Sequence, residues 1–503
     1  MLSSCTTGGG SGPGGSDDRT FDIAIGVDLD TVDPVQQTTT TVQNVVDYGV
    51  ETLTKLDKTG SVQPSLAESW ETSNGGKTIT FKLREGVKFH DGTDFDAEAA
   101  KFNLDRLLDP NVNVPIRANY EVIDKVTAVD AMTLRLDLKN PDPNLPSDLA
   151  TTIGGMISPD SVDKLGNSYK NIVEPVGTGP YTFERFAQGD QAVYKKFGDY
   201  WGKKPYYNEV VFHIVPEDTS REAMLRAGQA DMIMNPPVSD LEALEKDDST
   251  AVLKAPSDRS VFVAFNTSKP PFDDAKVRQA LNYAVDKKTI AREVLFGSVD
   301  AMDAPLASSV DGYCRSGYYE FDPEKARQLL DEAGVKNLSI TFGTPTGRYL
   351  QDKEAAQAIA AYLSDVGVKA KVRTMDWPSY QAATAEPANQ QTFDMHLLGW
   401  APGALDAPTQ FQMFQTAQHP PTGLATSFYS NAKVDSLVAK ANVELDDQRR
   451  NAMYCEAQQQ IWQDAPWMFL WSQTLVLAYS EDVAGVSYIP NEKFNTVYAH
   501  PAE

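Results

Sequence analysis

From residue 274 to residue 375 the chain alternates helical and strand patterns at short intervals. Helical spacing covers residues 274–284 and 323–333, a strand pattern covers 337–342, a helix 352–366, and a strand 369–375. This alternation requires sheets covered by helices, so the chain reads as α/β layers and not as an all-β sandwich. No 20–50-residue repeat is visible, which excludes a solenoid. The rest of the chain follows the same logic. Phe21, Ile23, Ile25 and Val27 alternate as a strand, and residues 38–53 predict a helix with Val42, Val45, Val46 and Val50 on one face. Two alternating runs, 66–71 and 78–83, flank Ser73-Asn74-Gly75-Gly76, and Asn-Gly between such runs predicts a hairpin. Asp96 predicts the N-cap of a helix over 97–107. Further strands are expected over 133–138, 209–215 and 260–266, and further helices over 220–227 and 449–463.

A length of 503 residues suggests roughly three domains. Hydrophobic residues make up 41% and charged residues 23%, so most of the chain is not disordered. No apolar run approaches the roughly 18 residues of a spanning helix. The net charge is −25 and no Lys/Arg-rich block exists, which argues against nucleic acid as a partner. The simplest reading of the acidity is solubility.

Catalytic motifs are absent. There is no G-x-S-x-G elbow, no phosphate-binding Walker loop and no H-E-x-x-H. His90, His213, His396, His419 and His500 are scattered, and no His/Cys set has metal-ligand spacing, so neither a metal nor another cofactor is expected. Gly10, Gly12 and Gly15 satisfy G-x-G-x-x-G, but no strand precedes them and no helix follows, so no dinucleotide site is read there. Aromatic residues crowd into 461–471, with Trp462, Trp467, Phe469 and Trp471. Core packing is the default reading; an aromatic wall of a cleft is the functional one. Trp400 ends an apolar stretch and enters a Gly/Pro loop, which makes it the better pocket candidate.

Cys5 follows Leu2-Ser3-Ser4 and precedes a Gly/Ser-rich stretch with no apolar side chain to bury, so residues 1–16 read as a flexible tether. The local sequence resembles a bacterial lipobox with its signal peptide removed, in which Cys5 carries the lipid and Met1 is not part of the mature chain. A free Cys in a tail is the alternative. Export would leave Cys314 and Cys455 in an oxidising compartment, where they could pair.

Several ordered motifs carry a resemblance over nearly the whole chain. Pro64-Ser65-Leu66-Ala67-Glu68-Ser69-Trp70 is followed by Phe81-Lys82-Leu83-Arg84-Glu85-Gly86-Val87-Lys88-Phe89-His90-Asp91-Gly92. Later come Val176-Gly177-Thr178-Gly179-Pro180-Tyr181, Phe265-Asn266-Thr267 with Pro270-Pro271-Phe272, Val277-Arg278-Gln279-Ala280-Leu281 and Asp464-Ala465-Pro466. In these stretches the chain resembles the extracytoplasmic solute-binding proteins of oligopeptide/dipeptide-type ABC importers, bacterial family 5. The resemblance implies a two-lobed periplasmic-binding-protein-like α/β fold of type II, with an extra subdomain in lobe I and a ligand cleft between the lobes. By analogy, lobe I holds 17–50, 176–268 and 474–503, the extra subdomain holds 51–175, and lobe II holds 269–473. Crossovers near 266–269 and 472–474 would act as the hinge.

The same resemblance implies a ligand set. Arg348, with Tyr349, matches an Arg that clamps a ligand carboxylate, and guanidinium chemistry suits that role. Trp400 and Trp471 match pocket aromatics, and Asn266 lies in a matched motif at the first crossover. Gly403 stands where peptide-binding members usually keep an Asp for the ligand's amine, and Asp406 matches a second acid three residues on. Either Asp406 takes over the amine or the ligand presents none there. The implied function is capture of a peptide or peptide-like solute outside the cytoplasmic membrane and delivery to a permease, without enzymatic turnover. The implied protein is a monomer anchored to the membrane through a lipid. A non-peptide polar solute, or a sensor-coupled receptor on the same scaffold, is the alternative.

Overall fold

The computed structural model describes residues 19–37, 39–346 and 348–502. Cys5 and its tether lie outside the described residues. One sheet of eleven strands runs through the molecule. Across it lie Lys369–Met375, Ser339–Pro345, Met395–Trp400, Thr250–Phe265, Trp467–Ser480, Met232–Met234, Thr20–Ile25, Glu209–Ile214, Gln191–Lys196 and Tyr181–Ala187. Val299–Ala301 adds to Trp467–Ser480 off this path.

Two long antiparallel strands, Thr250–Phe265 and Trp467–Ser480, occupy the middle and belong to both halves. Thr250 to Pro256 pair with Ser480 to Thr474, next to Met232–Met234. Ser260 to Ala264 pair with Ser472 to Trp467, next to Met395–Trp400. The ladder breaks between Pro256 and Ser260 and shifts again between Val261 and Phe262. Pro256 has no N–H to give to the ladder, and such interruptions bend a strand and change its twist. The expected crossover at 266–269 lies just past the end of this strand.

Beyond the break the strand is buried on both faces. Val261, Val263 and Phe265 enter a core with Ile340, Phe342 and Ile359. Phe262 and Ala264 enter another with Phe411, Tyr454, Trp467 and Phe469. A strand covered on both faces reads as a near-continuous apolar run, as this one does. The other half has its own core, built around Phe21, Ile23, Val42, Tyr194, Phe212 and Leu477. A separate four-stranded sheet, ordered Ala67–Ser73, Thr78–Leu83, Thr133–Leu138, Ile123–Asp130, packs with helix Ala97–Leu108 around Phe81, Phe89, Leu104 and Leu134. The architecture is therefore α/β and two-lobed, with an additional subdomain. Cys314 and Cys455 are joined in one lobe, with Cα atoms 5.1 Å apart. No helix among the described residues is long and apolar enough to cross a membrane.

The hairpin turn at Asn74–Gly76 uses positive φ at all three residues, which Asn and Gly tolerate. Asp96 caps its helix, accepting the Ala99 N–H at 2.9 Å. The helix expected over 38–53 is shorter, spanning Thr40–Val46. Its continuation is prevented by packing: Gly179 N–H donates to the Gly49 carbonyl at 3.0 Å, and a Cβ on Gly177 would lie 2.0 Å from the same oxygen. The Val periodicity continued past the point where the backbone is claimed by another segment.

A buried ion pair ties the subdomain's helix Ala97–Leu108 to the segment that precedes helix Thr40–Val46. Asp33 and Arg106 are both fully buried, with Arg106 Nη1 2.9 Å from Asp33 Oδ1 and Nη2 on the other oxygen. Arg106 Nε donates to the Tyr169 carbonyl, and the Ile172 N–H donates to Asp33. Asp33→Asn leaves a buried guanidinium without its counter-charge. It is expected to destabilise the protein by about 3–5 kcal/mol in urea unfolding, whereas a loss below about 1 kcal/mol would show that the pair does not hold the subdomain.

Candidate functional site

The break in the long strand carries Ser257, Asp258, Arg259 and Ser260, four buried polar residues between Pro256 and the apolar run from Val261. Buried Asp and Arg require partners. Arg259 finds Glu492: Nε lies 2.7 Å from one carboxylate oxygen and Nη2 bonds the other. This two-point geometry is the strong form of a guanidinium–carboxylate pair. Burial works against both charges. Glu492 outweighs it and holds Arg259 above its ordinary value, and Arg259 outweighs it and holds Glu492 below its own.

Asp258 is arranged differently. Its Oδ2 accepts the Gly403 N–H at 2.7 Å, while Oδ1 has no partner among the described residues. Burial, then the Glu492 charge, pushes this carboxyl up to about 7, against the pull of Gly403 N–H and Arg259. Asn491 Nδ2 donates to the Gly403 carbonyl at 2.7 Å, so Gly403 is held on both sides. Its φ of +73° suits glycine, and a Cβ there would meet nothing within 4 Å. The usual acid is absent from position 403, and the Asp258 carboxyl is bonded to that residue's backbone instead.

Arg348 sits in the loop between strand Ser339–Pro345 and helix Asp352–Asp365. The Asp352 carboxylate accepts the N–H of Arg348 at 2.9 Å and of Tyr349 at 3.1 Å, folding the loop onto the helix start. The Arg348 guanidinium lies 5.1 Å from the ring centroids of both Tyr349 and Trp377. Such aromatic faces hold a cation without neutralising it. Tyr349 is fixed in turn, its hydroxyl donating to the Gly399 carbonyl at 3.2 Å. Arg259 lies 6.0 Å from the same Tyr349 ring. Burial, then the Arg259 cation, pushes the Arg348 guanidinium below its ordinary value. The Glu492 and Asp352 carboxylates act on the same guanidinium in the opposite sense, and a guanidinium presented on aromatic faces suits an anionic group such as a carboxylate.

The other expected residues are distributed as follows. Trp400 is half-buried, pairs with Ser260 in the ladder, and donates its indole N–H to the Thr409 carbonyl at 3.3 Å. Trp471 is buried in the core with Phe342 and Met468. Asn266 lies seven residues along the strand from Arg259, roughly 20 Å away at the usual strand rise, with its Oδ1 taken by the Ser268 N–H at 3.2 Å. Asp406 is 2% exposed and lines a separate cavity with Asp142 and Asp148. The structure therefore gathers Arg348, Tyr349 and Gly403 near the crossover, with Trp400 beside it and Trp471 paired with Val261 at its edge, and puts Asn266 and Asp406 elsewhere. Sequence reasoning missed Asp258, Arg259, Asn491 and Glu492. A polar run inside an apolar strand was a usable signal for the first two; nothing local marks a partner 233 residues away. Among the described residues no group of three or more His, Cys, Asp or Glu is arranged to hold a metal ion.

A pH experiment checks the Asp258 environment. The fold favours the protonated acid, so its contribution to stability is full below the unfolded pKa of about 4 and is lost as pH rises through about 7. Asp258→Asn should match the wild type near pH 4 and exceed it in melting temperature at pH 8. A gap independent of pH would contradict this environment.

Residues 61–421 match the family described as Bacterial extracellular solute-binding proteins, family 5 Middle. The chain is 34% identical over 477 residues to the "Glutathione-binding protein GsiB" of Pectobacterium atrosepticum, covering 94% of this chain and 92% of that one. It is equally 34% identical, over 478 residues, to the protein of that name from Escherichia coli strain K12, covering 94% and 93%. Among solved structures it is similar to the periplasmic binding protein DppA of Helicobacter pylori in complex with the peptide STSA, with a TM-score of 0.85 and 25% identity over 97% of this chain and 99% of that one. It is also similar to the dipeptide binding protein of Pseudoalteromonas sp. SM9913 in complex with Met-Leu, with a TM-score of 0.86 and 25% identity over 96% and 100%. With its two-lobed fold and near full-length relatives, the chain belongs to the bacterial extracellular solute-binding proteins of family 5.

Proposed function

We propose that the chain captures a peptide-like solute outside the cytoplasmic membrane by closing its lobes, and delivers it to the permease of an ABC importer. The observation that carries this reading is the Arg348 guanidinium, held on two aromatic rings beside the Arg259–Glu492 pair. It takes the solute's carboxylate. The unpartnered Oδ1 of Asp258 takes its ammonium, in place of the acid that position 403 lacks. Trp400 and Tyr349 supply the flat walls. The relatives named for glutathione and the solved complexes with STSA and Met-Leu support this, because those ligands carry both an amine and a carboxylate.

In this reading lobe I comprises 17–50, 176 to the crossover, and 474–503; the extra subdomain comprises 51–175; and lobe II runs from the crossover to 473. The ladder break at Pro256/Ser260 supports a first hinge at 257–260, opposite 472–474. Closure is then a population shift, driven by ligand contacts made only in the closed form. Lipid attachment at Cys5 would keep a monomer at the outer membrane face.

Isothermal titration with glutathione and with Met-Leu tests the reading. At least one should bind the wild type and raise its melting temperature in step with RT ln(1 + [L]/Kd). Arg348→Ala should weaken that binding by about 1.5–3 kcal/mol, the usual range for a charged hydrogen bond. If neither ligand nor a panel of di- and tripeptides binds, the peptide reading is wrong. If binding is insensitive to Arg348→Ala, the clamp assignment is wrong.

A further inference from the structure

A second charged constellation lies away from the crossover. A cavity of about 290 Å³ opens where the four-stranded subdomain meets the lobe that carries residues 404–443. That volume is near the lower end of small-molecule pockets, roughly 300–1,000 Å³. Its subdomain wall carries Asn119, Asp142 and Asp148, and its opposite wall carries Asp406, Thr409 and Gln412. The walls are already stitched together. Gln412 Nε2 donates to Asn119 Oδ1 at 2.7 Å, Asn119 Nδ2 to Thr409 Oγ1 at 3.2 Å, and Ser147 Oγ to the Ala404 carbonyl at 2.7 Å.

Three carboxyls face this seam. Asp148 and Asp406 are 5% and 2% exposed, and Asp142 is half-buried. Neither oxygen of Asp406 has a hydrogen-bond partner among the described residues, although it precedes a helix whose N–H groups a capping Asp ordinarily takes. The hydroxyl and N–H of Thr409 ease its burial without reaching hydrogen-bonding geometry. Burial raises the pKa of all three acids. Asp406 and Asp142 raise Asp148 further, and Asp142 raises Asp406, pushed up to about 7. The chief charges acting on Asp148 and Asp406 are the neighbouring carboxyls of this set. Arg450, whose charge reaches the nearby Tyr454, is engaged by Asp447 and by the Glu444 carbonyl. Buried carboxyls facing one another without a counter-charge are costly, and a fold retains them where a cation completes the set. The three acids are not arranged to hold a metal ion, and the cavity is far larger than one would need.

We propose that this cavity is a subsite for the ammonium group of an organic amine, received by Asp148 of the subdomain and Asp406 of the facing lobe, with Asp142 beside them. It rests on the solute-binding reading above, and it adds to the substrate class a basic group separate from the zwitterion ends assigned to Arg348 and Asp258. An amine there makes contacts with both walls at once, so it favours the closed seam. Asp142 and Asp148 become specificity residues contributed by a subdomain that the crossover site does not use.

The probes are 1,4-diaminobutane and its uncharged analogue of equal length, 1,4-butanediol, titrated calorimetrically at 150 mM NaCl. The diamine should bind the wild type and the diol should not. Asp148→Asn and Asp406→Asn, near-isosteric changes, should each weaken the diamine at least tenfold, and Arg348→Ala should leave it within twofold. Hydrogen exchange on the wild type supplies a readout that needs no variant: the diamine should slow exchange at 140–148 and 404–418. Equal behaviour of diamine and diol, or diamine binding unchanged in both Asn variants, overturns the proposal. A diamine that binds as described while no peptide binds at all upholds the subsite and removes only the peptide reading.

Discussion

Everything in this molecule hangs on two strands that pair with each other along most of their length while serving two different cores. Thr250–Phe265 and Trp467–Ser480 cross from one lobe to the other side by side, and no other strand pairs with partners in both halves. A paired crossing is stiff against shear and torsion, because any displacement of one strand must break the ladder with the other. The ladder shifts between Val261 and Phe262 and is interrupted at Pro256/Ser260. That interruption is also where the polar residues sit. A backbone leaving its ladder exposes side chains and main-chain groups that a regular buried strand would have to keep apolar.

The electrostatics follow from this placement. Once Asp258 and Arg259 are buried at the break, each needs a partner from another part of the chain. Glu492 comes from the C-terminal segment, and the Gly403 N–H comes from the lobe across the cleft. These contacts bring together the strand break, the loop at Gly403 and the C-terminal segment. Asp258 Oδ1 keeps no partner among the described residues, and the Arg348 guanidinium rests on two aromatic rings. A buried ion pair such as Arg259–Glu492 adds little stability over an apolar substitute. Its value here is geometric, since it fixes Arg259 beside Tyr349, whose ring also carries Arg348.

Local signals in the chain were read well where local physics decides. Asn74-Gly75-Gly76 made its turn because only such residues tolerate three successive positive φ values, and Asp96 capped its helix because its carboxyl reaches an orphan N–H. The helix expected through residue 53 failed for a reason no periodicity contains: the Gly49 backbone is met by Gly177 and Gly179, more than a hundred residues away. Residues 250–256 went unread as strand, since Pro256 and a weak apolar pattern hide a segment stabilised by pairing with Thr474–Ser480. Among the candidate ligand residues, the aromatic identity of Trp471 suited a pocket and a core equally well, and its side chain packs in the core that also holds Tyr349.

The chain's own pattern determined the layered α/β class, the hairpin, the caps and, through ordered motifs, the family, because propensity, capping and periodicity act within a few residues. The resemblance to the family, and no local pattern, singled out Arg348. Only the tertiary structure decided which charges would be neutralised and which left over. Glu492 meets Arg259 across 233 residues, Asp258 binds the backbone of Gly403 across 145, and Asp148 faces Asp406 across a seam between separately folded parts. Burial and Coulomb energies depend on distances that exist only after the chain has packed, so the charge balance of these sites has no counterpart in any local stretch of sequence.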